Sequence, residues 1–127
     1  MIAVDTSALM AMLLDEERGA ACAAALRTDE DVIMSAGTVV ESLIVAGGRN
    51  LSAQMLRLIE DLGIEIVPVP LASAQRVAQA YARWGKGFHR AALNFGDCFA
   101  YEAAKNNACR LLYIGEDFAK TDIESVL

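Results

Sequence analysis

Two acidic residues follow short apolar runs at distant points of the chain. Asp5 comes directly after the run at 2–4, and Asp117 follows the run at 111–114 across a two-residue turn. Carboxylates repel one another, so a group of them needs a positive counter-charge. Mg²⁺ and Mn²⁺ prefer oxygen ligands and bind through a few carboxylates. The pattern therefore predicts divalent-metal chemistry, in which one or two ions activate water and neutralise charge on a cleaved phosphodiester.

A third acid, Glu41, lies inside the strongly apolar stretch at 39–45. An unpaired buried charge costs several kcal/mol. No Lys or Arg stands three or four residues away on either side, so no local helix partner is available. We expect a distant group to stabilise this carboxylate, and a cation is one candidate. A helix face that reaches solvent at this position is the alternative.

A fourth acid, Asp97, falls in the first turn of a predicted helix, where the helix dipole alone is a sufficient structural reason for it. Cys98 and Phe99 follow at once, which predicts a packed turn and a rigidly held carboxylate. Spacing alone leaves open whether the four acids converge.

Alternating strands and helices must position these acids. Apolar runs predict strands at 2–4, 32–34, 64–69 and 111–114, with a short last strand at 123–126. Predicted helices cover 6–14, an Ala-rich stretch to about 27, 37–46, 51–62, 71–84 and 95–106, with Thr6 or Ser7, Ser35 and Asn50 as caps. This order favours an α/β fold with a parallel sheet, whose ligands bind beyond the carboxyl ends of the strands.

The length of 127 residues predicts a single domain, 1–127. The apolar stretches are too short to span a membrane, and the N-terminus lacks the features of a signal peptide. Three cysteines without a C-x-x-C spacing, and a single histidine, offer no zinc site. We interpret the cysteines as reduced thiols of a cytoplasmic protein.

The net charge of −6 is unevenly distributed. The segment 66–96 contains no acid and carries Arg76, Arg83, Lys86 and Arg90. A basic stretch beside an acidic remainder is compatible with a phosphate-facing surface next to a metal site. A solvated helix face is the alternative interpretation.

Other chemistries find less support. One histidine excludes a ribonuclease that uses two, and neither a G-x-S-x-G elbow nor a phosphate loop is present. Two alternatives stay open. One is a Mg²⁺-dependent phosphatase or phosphotransferase with Asp5 as nucleophile, although Ser7 stands where a second Asp would be expected. The other is a non-catalytic module whose acidic groove binds a basic peptide.

The chain resembles the PIN-domain toxins of the VapC type. The resemblance rests on the opening MIAVDTSAL, Glu41 in the third helix, LNFGDC at 93–98, YIGEDF at 113–118 and TDI at 121–123. It covers essentially the whole chain. It implies a three-layer α/β/α sandwich with a central parallel sheet, a metal-dependent endoribonuclease activity, and a toxin role restrained by a cognate antitoxin.

The resemblance also assigns residues. Thr6 or Ser7 would orient a metal-bound water or the first carboxylate, and Asn94 would form a hydrogen bond inside the site. Glu116 is an alternative to its neighbour Asp117, and Asp122 is a further acid without an assigned role. The acids that would bind Mg²⁺ or Mn²⁺ are Asp5, Glu41, Asp97 and Asp117.

The same resemblance implies partners. The substrate would be transfer or ribosomal RNA, and the antitoxin would thread a segment, often with an arginine, into the acidic cleft. A homodimer is also expected. The stripe Leu51, Met55, Leu58 and Leu62 is a candidate dimer surface, with ordinary core as the alternative. The candidates for holding the RNA backbone are Arg76, Arg83, Lys86, His89 and Arg90.

Overall fold

The computed structural model describes residues 1–28 and 31–127. Four strands are present: β1 (Ile2–Val4), β2 (Val32–Ser35), β3 (Glu65–Val67) and β4 (Arg110–Leu112). The helices are α1 (Thr6–Leu13), α2 (Gly19–Thr28), α3 (Ala36–Gly47), α4 (Ser52–Asp61), α5 (Leu71–Trp84) and α6 (Phe95–Asn106), and a 3-10 turn follows at Phe118–Lys120.

The strands form one parallel sheet in the order β3-β2-β1-β4. The chain moves from β1 to one side of the sheet and returns to the other side of β1 with β4. The carboxyl ends of β1 and β4 therefore flank the point where the strand order reverses, which is where ligands bind in open α/β sheets. The predicted parallel α/β architecture is confirmed.

Each face of the sheet is covered by a separate hydrophobic core, because alternate residues of a strand point to opposite faces. In β1, Ala3 packs into the core formed with α5 and α6. Its neighbours Ile2 and Val4 pack into the other core, to which α1, α2, α3 and α4 contribute. Helices on both faces of a central sheet make the three-layer sandwich that the resemblance implies.

Two predicted strands are shorter than expected. The strand predicted at 64–69 is confined to β3, because Pro68 and Pro70 have no N–H to donate to a sheet. The last strand, predicted at 123–126, is reduced to a single parallel bridge between Leu111 and Ser125.

The predicted caps have mixed outcomes. Ser35 caps α3, and its hydroxyl accepts the backbone N–H of Gly37. The prediction that Asn50 caps α4 was wrong. Asn50 has a φ of +59°, and the N-cap position belongs to Leu51, whose side chain makes no cap bond. The helix is held by its packing instead.

The apolar stripe of α4 lies in the core rather than on a free surface. Met55 is fully buried, and Leu51, Leu58 and Leu62 pack partly buried around the same core. This stripe therefore does not supply the predicted dimer surface. Within residues 1–28 and 31–127, no helix combines the length and apolarity needed to cross a membrane.

Candidate active site

Asp5 stands at the carboxyl end of β1 and is itself the N-cap of α1. Its Oδ2 accepts the Ser7 backbone N–H at 3.0 Å and the Ser7 hydroxyl at 2.6 Å. The prediction that Thr6 or Ser7 caps this helix was wrong, because the acid takes that role. The Ser7 Oγ also accepts the N–H of Ile114 at 3.0 Å. Ser7 thereby joins Asp5 to the segment that follows β4.

The second oxygen of Asp5 is free of such bonds. Oδ1 is buried and has no hydrogen-bond partner among the described residues, and Asp5 as a whole is only 3% exposed. Burial, with a smaller contribution from the nearby Glu41 carboxylate, raises its pKa to about 6, against the lowering effect of the Ser7 bonds. A buried carboxylate oxygen without a donor needs an external partner.

Within the described residues, the Glu41 carboxylate is held by a hydroxyl group and forms no ion pair with a basic side chain. Thr6 donates its hydroxyl to Glu41 Oε1 at 2.6 Å, and the Thr6 oxygen lies 2.9 Å from Ser42 Oγ. Thr6 has one hydroxyl proton and gives it to the carboxylate, so Ser42 must donate to Thr6. The relay runs from Ser42 through Thr6 to Glu41. Thr6 thus orients Glu41, and Ser7 orients Asp5.

Gly96 gives the Glu41 carboxylate its space beside α6. A Cβ at this position would lie 1.7 Å from Glu41 Oε2, a separation that atoms cannot adopt. Nearby, a Cβ at Gly37 would lie 2.2 Å from the Phe99 ring. Two glycines thus allow α3 and α6 to approach closely and bring Glu41 to the first turn of α6.

Asp97 forms a capping box with Asn94 at the start of α6. The Asn94 side chain accepts the Asp97 N–H at 2.8 Å, and Asp97 Oδ2 accepts the Asn94 N–H at 2.9 Å. Burial raises the pKa of Asp97 to about 7. The carboxylates of Asp5, Glu41 and Asp117 add to this rise, against the lowering effect of the Asn94 bond. The three distant acids are therefore close enough for Asp97 to experience their charge.

A cleft of about 340 Å³ opens between the ends of β1 and β4 and the start of α6. Asp117 borders it from the exposed segment after β4 and makes no cap bond to the 3-10 turn that follows. Glu116 borders it as well, so both members of the acidic pair face the same space. The cleft is lined by Asp5, Ser7, Asn94, Asp97, Ile114, Gly115, Glu116, Asp117 and Phe118.

The acids of this site have no cationic side chain against them. Among the ion pairs formed within the described ranges, none includes Asp5, Glu41, Asp97 or Asp117. In the same ranges, no three Asp, Glu, His or Cys side chains are packed closely enough to make a ready-formed metal cluster. Asp5, Asp97 and Asp117 line the cleft, whereas Glu41 is not among its lining residues and lies against Gly96 at the start of α6.

The basic residues singled out in the sequence divide into two groups. Arg76 and Arg83 border a separate pocket of about 210 Å³ beside the C-terminal half of α6. There, Arg76 pairs with Glu102 at 2.9 Å, and Arg83 stacks on Trp84.

The second group lies in the loop that leads to Asn94. Lys86 and Arg90 are exposed. His89 packs its ring on Trp84, and its Nδ1 accepts the Ala91 N–H at 3.0 Å. These three residues are closer in sequence to the carboxylate cleft than Arg76 and Arg83.

Two residues of the site were not predicted. Gly96 matters through the space that it leaves, and Ser42 through a hydroxyl directed at Thr6. A glycine inside the first turn of a helix disfavours helix formation, and that local conflict was the only available signal for Gly96. Ser42 gave none, because its partner lies 36 residues away in the chain.

Comparisons with known proteins agree with this architecture. The model of the PIN domain family matches residues 2–124. Ribonuclease VapC30 of Mycobacterium tuberculosis is 41% identical, over 97% of this chain and 96% of the relative.

Two solved structures share the fold. One is M. tuberculosis VapC20, a sarcin–ricin loop cleaving toxin, with a TM-score of 0.79 at 12% identity over 99% of this chain and 98% of that one. The other is a toxin–antitoxin complex from Klebsiella pneumoniae, with a TM-score of 0.68 at 18% identity over 96% of this chain and 93% of that one. The chain belongs to the PIN domain family and, within it, to the VapC ribonucleases.

Proposed function

We propose that this chain is the toxin of a toxin–antitoxin pair and cleaves RNA by metal-dependent hydrolysis. The observation that carries the proposal is one cleft bordered by Asp5, Asp97 and Asp117, with Glu41 close to the start of α6 and, within residues 1–28 and 31–127, no ion pair to any of the four. Membership of the VapC ribonucleases supports cleavage of RNA. It gives no support to the phosphotransferase and binding-module alternatives.

The residues of the cleft fit a hard divalent cation. Carboxylate oxygens are the ligands that Mg²⁺ and Mn²⁺ favour, and the buried Oδ1 of Asp5 has no other partner in the described residues. Asp5, Glu41, Asp97 and Asp117 would hold the ion, with Glu116 as the alternative to Asp117. When bound, such an ion supplies an activated water and neutralises charge on the phosphodiester.

The chain's own groups orient these ligands. Ser7 holds one oxygen of Asp5 with two hydrogen bonds, which leaves the other directed away from the helix cap. Thr6 fixes Glu41, and Asn94 fixes Asp97 through the capping box. Three of the four carboxylates, those of Asp5, Glu41 and Asp97, are therefore oriented before a ligand arrives, which lowers the entropic cost of binding.

The RNA backbone would contact the basic loop that leads in sequence to the cleft residue Asn94. Lys86 and Arg90 are exposed there, and His89 lies between them in the same loop. Arg76 and Arg83 would extend this contact only to an RNA that also reaches the C-terminal half of α6. Phosphate contacts of this type make binding strongly dependent on salt concentration.

The antitoxin would occupy the cleft together with an adjacent apolar groove. This groove, about 470 Å³, lies between α5 and α6 and is lined by Ala74, Val77, Ala78, Tyr81, Phe95, Cys98 and Phe99. Phe95 is 73% exposed and stands next to the cleft residue Asn94. A segment with apolar side chains followed by an arginine would match the groove and then the carboxylates. The similar Klebsiella structure is itself a toxin–antitoxin complex.

The homodimer and the cytoplasmic location stay predictions. The α4 stripe is not available to a dimer, because it packs in the core. Three exposed apolar side chains of α3 are the better candidates for such a contact: Val40, Ile44 and Val45.

The proposal is tested with antitoxin-free protein and total RNA in Mg²⁺, in Mn²⁺ and in excess EDTA. We expect cleavage with either ion, none with chelator, and none by Asp5→Asn under any condition. The matched control is Asp15→Asn, since Asp15 is an exposed acid outside the cleft. Full cleavage in EDTA would refute metal dependence, and full activity of Asp5→Asn would refute the assigned site.

A further inference from the structure

Asp122, the central residue of the TDI motif at 121–123, lies outside the carboxylate cleft. Its Oδ1 accepts the Tyr101 hydroxyl at 2.6 Å, and its Oδ2 accepts Lys105 Nζ at 3.1 Å. The Arg83 guanidinium is 3.9 Å from Oδ2. These contacts hold the pKa of Asp122 below its ordinary value, although burial acts in the opposite direction. The carboxylate is therefore a fixed negative charge that joins the C-terminal segment to α6.

The bond to Tyr101 is one part of a directed chain. Tyr101 gives its only hydroxyl proton to Asp122, so its oxygen accepts the indole N–H of Trp84 at 3.0 Å. Tyr101 and Trp84 are 7% and 8% exposed. Hydrogen bonds linked in this way strengthen one another in a low-dielectric interior. The C-terminal segment is thus connected through α6 to the end of α5.

The segment between Asp117 and Asp122 is short and internally bonded. Phe118 is buried and packs on Tyr113 with ring centroids 5.2 Å apart. The Thr121 hydroxyl donates to the Phe118 carbonyl at 2.7 Å and accepts the Ile123 N–H at 3.2 Å. A displacement of Asp122 is therefore transmitted to Asp117 through a compact turn rather than absorbed by a flexible loop.

Electrostatic repulsion acts on the other end of this segment. Asp97 and Asp117 line the same cleft, and neither forms an ion pair within the described residues, so their negative charges repel each other across it. Asp97 is anchored in its capping box, whereas Asp117 is exposed and makes no cap bond. The repulsion therefore tends to move the Asp117 segment away from α6, and the Asp122 contacts oppose that movement on the same helix.

We propose that Asp122 is a positioning residue that holds Asp117 at its working distance from Asp97. The inference rests on the proposed metal-dependent function, because the working distance is the one at which both acids hold one ion. Asp122 does not touch the cleft and acts through residues 118–121.

The test compares Mn²⁺ binding to the full chain by electron paramagnetic resonance and calorimetry. Asp122→Ala removes the contacts with Tyr101 and Lys105, and Tyr101→Phe removes the hydroxyl but keeps the ring. Glu124→Ala is the matched control, because Glu124 is exposed and lies two residues further along. Asp117→Asn reports the loss of the ligand itself. Thermal unfolding of each variant is recorded in parallel.

We expect the Mn²⁺ Kd to rise about tenfold in Asp122→Ala and in Tyr101→Phe, as is typical when outer contacts of a metal ligand are lost. Glu124→Ala should stay within about twofold of the starting protein. Cleavage by Asp122→Ala should recover as Mn²⁺ is raised. A purely structural residue would instead lower the unfolding temperature and leave the Kd of the folded protein unchanged.

The two proposals fail in different ways. If the unaltered chain binds no Mn²⁺, the metal-dependent function fails, and this inference fails with it. If that chain binds Mn²⁺ and Asp117→Asn weakens binding, but folded Asp122→Ala and Tyr101→Phe bind normally, only the inference fails. Should Asp122→Ala not fold, Tyr101→Phe alone decides between these outcomes.

Discussion

The two ends of α6 treat acidic side chains in opposite ways. At the N-terminal end, Asp97 experiences the negative charge of three other carboxylates and has no cation against it. Toward the C-terminal end, Glu102 is paired with Arg76, and Asp122 with Lys105. The pKa of Asp97 is raised to about 7, whereas that of Asp122 is lowered. On α6 itself, the unneutralised Asp97 and the neutralised Glu102 thus stand only about one and a half turns apart.

The contrast teaches which acids serve the fold and which serve the site. A carboxylate that exists for stability is given a local cation, as Glu102 and Asp122 are. A group of carboxylates without one lowers the stability of the ligand-free protein, and such conflicts are expected at functional sites. The ionic environment therefore separates two kinds of acid that the sequence alone presents as equivalent.

The largest effect is expected when one acid of each kind on α6 is replaced by its amide, the unpaired Asp97 in one variant and the paired Glu102 in the other. We expect Asp97→Asn to lose at least about a hundredfold in cleavage rate, because it removes a group acting directly on the reaction centre. The amide oxygen still accepts the Asn94 N–H, so the fold should persist. Glu102→Gln should retain its rate per folded molecule. Cleavage rates are measured for both variants, and circular dichroism spectra show whether each is folded. If both variants lose the same fraction of the cleavage rate, the two ends of α6 do not differ in function.

A smaller effect is expected when the acids remain and only their spacing changes. Gly96→Ala places a Cβ 1.7 Å from the present position of Glu41 Oε2, so the Glu41 carboxylate must move from its present place beside the first turn of α6. We expect a loss of about tenfold to a hundredfold in cleavage rate, in line with the cost of misplacing a catalytic group by about 1 Å. Gly63→Ala is a control of similar size, because a Cβ there contacts nothing, although its φ of +64° adds local strain. If Gly96→Ala is as active as the unaltered chain, Glu41 does not require its present position.

The unpaired acids at the N-terminal end of α6 should also make the thermal stability of the protein depend on pH. Asp5 and Asp97 have raised pKa values of about 6 and 7 in the fold, against about 3.9 in an unfolded chain. Their favourable contribution is fully present below pH 4 and is lost as the pH rises to about 7. In EDTA, the Tm should therefore fall between pH 5 and pH 7.5.

Two additions make this measurement specific. Mn²⁺ at pH 7.5 should restore the Tm, because an ion that binds only the folded protein stabilises it. Asp97→Asn in EDTA should show a flatter pH profile, since it lacks the more strongly shifted group. A Tm that rises from pH 5 to pH 7.5 in EDTA, with no response to Mn²⁺, would contradict unneutralised acids at this end.

The smallest effect is expected at the paired end. Glu102→Gln replaces the charged partner of Arg76 but keeps an oxygen that can accept its N–H. We expect a loss of about 1 kcal/mol in the free energy of unfolding, since Arg76 is 40% exposed and can turn to solvent. Urea unfolding measures it, and Glu60→Gln on the exposed face of α4 is the control. A higher free energy of unfolding in Glu102→Gln would show that the ion pair with Arg76 does not stabilise the fold.

The sequence predicted the features that depend on local pattern. Alternating strands and helices predicted the parallel sheet, which in turn brought Asp5 and Asp117 to one edge. The apolar surroundings of Glu41, without a cation one helical turn away, predicted stabilisation by a distant group, and Thr6, 35 residues away in the chain, donates its hydroxyl to this carboxylate. These inferences succeeded because periodicity and charge spacing are set within a few residues.

Features that depend on distant contacts were not predictable. Asp5 rather than its hydroxyl neighbours caps α1, because Ser7 must also reach the N–H of Ile114. The stripe of α4 was ambiguous between core and surface until the packing of α1 against α4 placed Met55 inside. Arg76 was grouped with the basic loop by sequence proximity, yet it contacts a buried acid 26 residues away.

The two oxygens of the Asp5 carboxylate have different roles, and this difference determines what a substitution at position 5 can show about the site. One oxygen holds the start of α1 and the other faces the site. An asparagine at position 5 has a single acceptor oxygen, and the helix claims it. Its amide group must then point its hydrogens inward, where a metal ion would stand. Asp5→Asn therefore adds a competing donor besides deleting a charge, and the same inward-facing hydrogens would also oppose an antitoxin arginine at this position.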